Sequence, residues 1–481
     1  MSSGRIARAC SLALAGMLAL AGCDGDGEPT GSGGTGGAGG SGGATGGAGG
    51  TGGTGGSSGG SGGGGAAPSN EQDILTTDIA LDLGALTGSA SVLVQPATGA
   101  SAVTLEVGGL TLTEVTLGGT AAPFQVADGV ASIEVPDPSE PVTVDIAYSF
   151  LAQPSTGFDG WMPDSGVTFL WTRFCGNLFP CVSNPADGAV FGLSVTGFDP
   201  SLTAVYPTTT TGQAPSYMPA VAVGEYTKKE LGTTMAGTKV SAWYLPGQEA
   251  DTDAGTVNLT AVVDFFEQTY GPYSFGPEMG SVSANWGEGA FGGMEHHPFF
   301  HVGKDAMSDE ETHAHEAAHG WFGDGVRIAC WEDFVLSEGT VTYMAARGLE
   351  RVGGPNLWPY YVQVLDGICS GADINTIALP GTCNEIDLIT DDLWSSVPYQ
   401  KGACFFEDVA DFLGPDVLDE RLATFYAANV GKAARMRDLI DHIEATASEA
   451  EKAQVETLVT EWLLTKACPV DYAERCGSHQ P

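Results

Sequence analysis

The segment His315, Glu316, Ala317, Ala318, His319 constrains this 481-residue chain more than any other. On a helix, residues four apart lie one above the other on the same face, so two imidazoles at that spacing can close on one metal ion. Glu316, next to the first His, stands where it can take a proton from a water at that metal. After eighteen intervening residues comes Glu338. That spacing lets a second helix run back past the first and offer a carboxylate as third ligand. Three protein ligands and an open fourth position describe a catalytic rather than a structural zinc. The fold must therefore hold two helices side by side, with His315, His319 and Glu338 facing one another.

The two halves of the chain differ in pattern. Over residues 70–247, short apolar runs such as SASVLV, VTLEV and VTVDI are separated by Gly, Pro, Asp and Thr turns every eight to twelve residues or so, the mark of antiparallel β structure. Over 248–481 the apolar spacing becomes helical, at 256–269, 310–322, 338–351, 401–412 and 439–447, with a short strand-like stretch at 280–285. The expected class is α+β multidomain, a β-rich domain followed by a mainly helical one. No apolar run reaches the twenty or so residues that a membrane span needs.

The N-terminus predicts export. Arg5 and Arg8 precede an apolar run over 9–20, the length of a signal-peptide core and too short to span a bilayer. The run ends in Leu20, Ala21, Gly22 and Cys23, which resembles the bacterial lipobox. Residues 1–22 then read as a lipoprotein signal peptide and Cys23 as the lipidated residue, anchoring an exported protein to a membrane, periplasmic or at the cell surface. Residues 23–69 read as a flexible tether: 23 of the 35 positions from 31 to 65 are Gly, and the segment has no apolar surface to offset chain entropy. Eighteen Lys and Arg stand against 59 Asp and Glu, a formal charge of −41 that repels phosphate backbones and excludes nucleic acid as a partner. Eight cysteines remain beyond Cys10 and Cys23, an even number in keeping with disulfides in an oxidising compartment. Proximity in sequence favours Cys175–Cys181, Cys369–Cys383 and Cys468–Cys476, leaving Cys330–Cys404. No CxxC pair supports a cysteine zinc site.

At the zinc-ligand segment the chain resembles the gluzincin zinc aminopeptidases, peptidase family M-one, of the aminopeptidase N and leukotriene hydrolase type. HEAAHGWFGDGV is similar to the family's HExxHxWxG segment, and WEDFVLSEGTVTYM to its second ligand helix. Gly292, Gly293, Met294, Glu295 and His296 resemble the GxMEN motif, and Tyr399, Gln400, Lys401 and Gly402 the Tyr-x-Lys-Gly segment. FFEQTYGPYSFGP and FPCVSNP are also similar, so the resemblance covers about residues 70–481. It implies an antiparallel β saddle domain packed on a thermolysin-like zinc peptidase domain. It further implies one Zn²⁺ held by His315, His319 and Glu338, Glu316 as general base, and Tyr399 as hydrogen-bond donor to the oxyanion. Glu295 would face the substrate's free α-ammonium, and the backbone of Gly292, Gly293 and Met294 would let an extended peptide approach.

The function expected is zinc aminopeptidase action on extracytoplasmic peptides by a monomer; an open-cleft zinc endopeptidase and a non-catalytic surface binding protein are the alternatives. Three departures bear on chain-end selectivity. His296 stands for the Asn of GxMEN, Trp171 stands where relatives place a second polar anchor for the amine, and the chain stops about 80 residues after Tyr399, short of the family's helical cap. Asp391, eight residues before Tyr399, matches an acidic residue of leukotriene hydrolase, but Trp394 replaces the tyrosine between them, so epoxide chemistry is not expected. Of the polar neighbours, His313 is expected on a solvated face, and His296, His297 and His301 on a polar rim. Asp324 and Asp333 are expected either to orient the zinc ligands or to cap helices.

Overall fold

The computed structural model describes residues 71–136, 139–287, 292–370 and 377–477. Cys23, the signal segment and the glycine tract lie outside the described residues.

Alternation of apolar and polar residues builds the β-rich part. In Val142–Ser149, Val144, Ile146 and Tyr148 point inward while their neighbours are at least partly exposed. This strand is central in a six-stranded sheet ordered Val190–Thr196, Asp73–Asp82, Thr87–Gln95, Val142–Ser149, Thr111–Leu117 and Thr120–Ala121. The pairing is antiparallel except that Val190–Thr196 runs parallel to Asp73–Asp82. A three-stranded sheet of Ala102–Glu106, Val130–Glu134 and Phe124–Ala127 buries Val103, Leu105 and Ile133 completely in the same core.

A mixed five-stranded sheet supports the helical part. Its order is Thr227–Thr233, Lys239–Tyr244, Glu278–Ala284, Phe299–Gly303 and Gly293–Met294. The first two strands belong to the stretch whose pattern reads as the β half, yet Lys239–Tyr244 pairs in parallel with Glu278–Ala284. At the other edge, Gly293–Met294 pairs, among the described residues, only on one side, antiparallel to Phe299–Gly303.

The helices largely follow the apolar spacing. Leu259–Tyr270, Phe334–Val352, Gly402–Leu413 and Met436–Glu444 form near the expected positions. The helix expected over 310–322 ends at Ala318, because Gly320 follows and Phe322–Gly323 becomes a short strand. Asp309 caps its start by accepting from Glu311 N, and Glu310 and Glu311 suit the positive end of the helix dipole. Trp358–Ser370, Pro415–Asn429 and Glu449–Leu458 are further helices, the second begun by a proline at its first position. No helix among the described residues is long and apolar enough to cross a membrane.

Two backbone contacts position the site. The helix Phe334–Val352 is buried continuously from Phe334 to Leu349, and at Gly339 it meets Gly402 of the next core helix. A Cβ on Gly402 would lie 2.6 Å from Gly339 Cα, and one on Gly339 would lie 2.8 Å from Gly402 Cα. Only two glycines allow that approach, and it brings Tyr399 alongside Glu338. Gly402→Ala should therefore destabilise the protein by about 1–3 kcal/mol through overpacking, read from the urea midpoint, and lower turnover as the two helices separate. An unchanged midpoint and turnover would refute this packing.

The disulfides correct three expected pairs. Cys175–Cys181 forms, but the others are Cys330–Cys383, Cys369–Cys468 and Cys404–Cys476, with Cα separations of 5.6, 5.7 and 4.9 Å. Sequence proximity misleads here because the chain folds back on itself. The loop after Cys383 returns to Glu332, whose carboxylate accepts from the backbone N–H groups of Asn384, Glu385 and Ile386. The C-terminal segment returns to Lys401, whose ammonium donates to the carbonyls of Thr465 (2.5 Å), Ala467 (3.2 Å) and Lys466 (3.4 Å).

Candidate active site

One helical turn separates His315 from His319, and the antiparallel return of the next helix brings Glu338 to both. The donor atoms form a small triangle. His315 Nε2 is 3.1 Å from Glu338 Oε2, His319 Nε2 is 3.5 Å from the same oxygen, and the two Nε2 atoms are 3.3 Å apart. A tetrahedral zinc with ligands at 2.0–2.2 Å needs donor separations of about 3.3–3.6 Å. The triangle fits within about 0.2 Å.

The tautomers fit as well. Thr342 Oγ1 donates to Glu338 O at 2.6 Å, so its lone pairs are left to accept from His315 Nδ1–H at 3.4 Å. His319 Nδ1 lies 3.1 Å from Phe322 O, an acceptor, with Ser337 Oγ at 3.3 Å. With Nδ1 protonated in each ring, both Nε2 lone pairs face the triangle. Burial opposes charge on Glu338, but His319 and His315 outweigh it and hold the carboxyl below its usual range. Burial likewise opposes charge on His319, while Glu338, Glu295 and Glu316 push the other way and prevail. The site is an electronegative pocket built for a cation. A second set, Glu295, Glu316 and His319, also converges within 4.8 Å. Glu106, Cys175 and Cys181 converge too, but those sulfurs are joined in a disulfide.

Glu316 is 5% exposed, and its Oε2 has no hydrogen-bond partner among the described residues. Its pKa is raised, chiefly by burial; His319 opposes the rise, while Glu295, Glu338 and Glu311 add to it. A buried carboxylate oxygen without a donor is costly, so this pocket favours the neutral form of the group. Gly293 lies directly against it: a Cβ there would collide with the Glu316 carboxyl. Gly292 has ordinary room, its nearest neighbour being Thr312 at 3.7 Å. The two glycines thus differ, and Gly293 first of all makes space for Glu316.

Tyr399 sits in the π-helical turn Val397–Lys401 that leads into Gly402–Leu413. Its ring stacks on His315 (centroids 5.8 Å, 13° between planes) and meets the edge of Phe334 at 5.8 Å. Burial first, then Glu338, Glu295 and Glu316, raises its pKa well above the usual phenol value, so the hydroxyl keeps its proton as a donor. Glu295 follows the edge strand containing Met294, is 4% exposed, and faces Tyr217, a residue of the β-rich part that the sequence reading missed. Nothing in a tyrosine between Ser216 and Met218 signals that reach.

Several polar neighbours lie elsewhere than expected. His313 is fully buried, with Nε2 donating to Met307 O at 3.1 Å, and burial pushes its pKa down to about 4. The helix is wrapped on every side, so it has no solvated face there. His296, His297 and His301 are each 1% exposed and form no rim. His297 donates from Nε2 to Glu316 O at 2.9 Å and accepts from Tyr273 at 2.8 Å, pinning the ligand helix. His296 and His301 meet edge to face at 4.7 Å, and burial keeps both neutral. Asp324, fully buried, faces Glu295, His319 and Tyr217. Asp333 makes no cap bond to its own helix; it accepts at 3.0 Å from Met436 N, the first N–H of the helix Met436–Glu444, and pairs with Arg435, joining the ligand helix to that one. Trp171 is buried against Trp394 at 4.7 Å, so an aromatic wall stands at that position. Asp391 is exposed and accepts from Asp387 N at 2.8 Å.

Residues 298–462 match the sequence profile described as Peptidase family M1 domain. Aminopeptidase M1-B of Oryza sativa subsp. japonica is 27% identical over 286 residues, 54% of this chain and 31% of that protein. Aminopeptidase N of Mus musculus is 25% identical over 342 residues, 61% of this chain and 34% of that one. The chain thus spans about a third of the length of these curated relatives. Among solved structures, the M1 zinc metallopeptidase of Deinococcus radiodurans superposes with a TM-score of 0.71 at 18% identity, over 84% of this chain and 96% of that one. A mutant of that enzyme has been solved bound to a Tyr-Ser-Ala substrate.

Proposed function

We propose that this chain, which carries a peptidase family M1 domain, is a zinc-dependent aminopeptidase. The observation that carries the reading is the triangle of His315, His319 and Glu338 donors, edged 3.1 to 3.5 Å, with Glu316 and Tyr399 at its border. Zinc held there supplies a Lewis acid that acidifies a water and polarises the scissile carbonyl. Glu316 accepts the water's proton and returns it to the leaving amine. Tyr399 donates to the carbonyl oxygen as negative charge develops on it, where a fixed donor contributes most. The side of the Gly293–Met294 strand that pairs with no other strand among the described residues offers its backbone to an extended peptide. Glu295 receives the peptide's α-ammonium.

Export and a lipid anchor at Cys23 remain part of the proposal. Four disulfides among the described residues support an oxidising compartment. The endopeptidase reading has one observation in its favour, the apolar Trp171 wall near the site.

One experiment separates the two readings. Peptides with free N-termini and their acetylated counterparts are assayed with the wild type and with Tyr217→Phe. The wild type should release N-terminal residues from free peptides and spare the acetylated ones. Tyr217→Phe, which removes the hydroxyl that faces Glu295, should raise KM for free peptides about tenfold. Equal cleavage of free and acetylated peptides by the wild type would overturn the aminopeptidase reading and favour an endopeptidase.

A further inference from the structure

The π-helical turn that carries Tyr399 ends in Lys401, whose side chain is fully buried. An ammonium group away from water needs a partner for each of its three donors. Lys401 has them in the carbonyls of Thr465 (2.5 Å), Ala467 (3.2 Å) and Lys466 (3.4 Å). These carbonyls follow the helix Glu449–Leu458 and the turn Val459–Leu463 that continues it, where a helix end carries partial negative charge. They lie 64 to 66 residues from Lys401 in the chain, so nothing local keeps them at the ammonium.

Two covalent links do keep them there. Cys404, three residues after Lys401 on the helix Gly402–Leu413, is joined to Cys476, and Cys369 on Trp358–Ser370 is joined to Cys468, next to the acceptor carbonyls. Tyr472 Oη donates to Asp366 at 2.5 Å and Arg475 Nε to Asp408 at 2.7 Å, so polar contacts follow the same two helices. On its other side the turn abuts the ligand helix: a Cβ on Gly339 would lie 3.0 Å from Pro398 O, and the Tyr399 ring stacks on His315. The turn is thus held between the ligand helix and the clamped C-terminal segment. With that segment gone, the buried ammonium would have to reach for water and would draw the turn, and Tyr399 with it, from the zinc triangle.

We propose that Lys401 is a positioning residue for Tyr399, and that the C-terminal segment, clamped by Cys369–Cys468 and Cys404–Cys476, fixes it. Turnover therefore depends on oxidised cysteines that touch neither zinc nor substrate. This rests on the oxyanion role proposed for Tyr399, and the test separates the two ideas.

The test uses a free tripeptide, with kcat, KM and zinc content measured for each variant. Cys404→Ser combined with Cys476→Ser opens the clamp and leaves Lys401 and its acceptors in place in the sequence. Lys401→Met keeps the length of the stem and removes the charge and its donors. Each should lower kcat about tenfold, as expected for a shift of Tyr399 by a fraction of an ångström, with KM within about twofold and zinc retained. Combined, they should lose about as much as either alone, since both act on one turn. Tyr399→Phe should lower kcat by about 10²–10³-fold, and neither change should add to that loss. The clamp variant stands in where Lys401→Met fails to fold. Wild type treated with thiol should lose the same factor in kcat as the Cys404 and Cys476 thiols appear, and regain it on reoxidation. Wild-type kcat in either variant, loss of zinc along with kcat, or losses that multiply with Tyr399→Phe would overturn the proposal. Full activity in Tyr399→Phe would remove the oxyanion role and the proposal with it, whereas a large loss there beside wild-type kcat in the clamp variant would remove the proposal alone.

Discussion

Glu316→Gln is expected to lower kcat for peptide hydrolysis by about 10²–10⁴-fold, the range that a positioned general base contributes. The amide has nearly the carboxylate's shape, and the glycine at position 293 leaves the same space for it. It cannot accept a proton from the attacking water. Folding should not suffer. Glu316 Oε2 gives up no hydrogen bond among the described residues, and burial already disfavours its charged form, so a neutral group is tolerated at least as well. Zinc content should also hold, since His315, His319 and Glu338 are untouched. Thermal melting and metal analysis on the same sample check both points. A variant with full metal and wild-type kcat would take the general-base role from Glu316.

Glu338→Ala should act on the metal. It removes one corner of a triangle whose edges match tetrahedral zinc, leaving two imidazoles. The expected weakening of zinc binding exceeds the roughly 10–100-fold that losing an outer partner costs, and is read by competition with a chromophoric chelator. The helix Phe334–Val352 should persist, because its burial runs from Phe334 to Leu349 and does not depend on one carboxylate. Thr342→Val gives a graded comparison. It removes the acceptor for His315 Nδ1 and should fall within that 10–100-fold range. Wild-type zinc affinity in Glu338→Ala would mean the metal sits elsewhere, the Glu295, Glu316 and His319 set being the next candidate.

What the sequence revealed depended on how local the determining geometry is. The spacing of His315 and His319 is a property of one helical turn, and the return to Glu338 needs only a second helix packed against the first. Both follow from spacing, and the structure brings the three side chains together. The β alternation around Val144, Ile146 and Tyr148 is equally local. By contrast, Tyr217 reaches Glu295 from the β-rich part, and no pattern near residue 217 encodes that contact. His313 is buried rather than solvated because helical spacing shows which face a residue is on but not whether that face is covered. Chain proximity gives Cys175–Cys181, six residues apart, but not the long-range pairs: Cys369 pairs with Cys468, 99 residues away, and Cys383 with Cys330. Gly293 and Gly402 were visible as motif glycines. Their reasons, room for the Glu316 carboxyl and for the Gly339 backbone, exist only in three dimensions.

The account rests on the His315, His319 and Glu338 triangle being a zinc site that drives peptide hydrolysis, and a zinc titration tests this most directly. Protein stripped with chelator is given zinc in steps, and release of the first residue from a free tripeptide is followed at each step. The account predicts no turnover in the stripped protein and a linear rise that ends at one zinc per chain. Turnover that survives stripping, or zinc bound at one per chain without turnover, would contradict it.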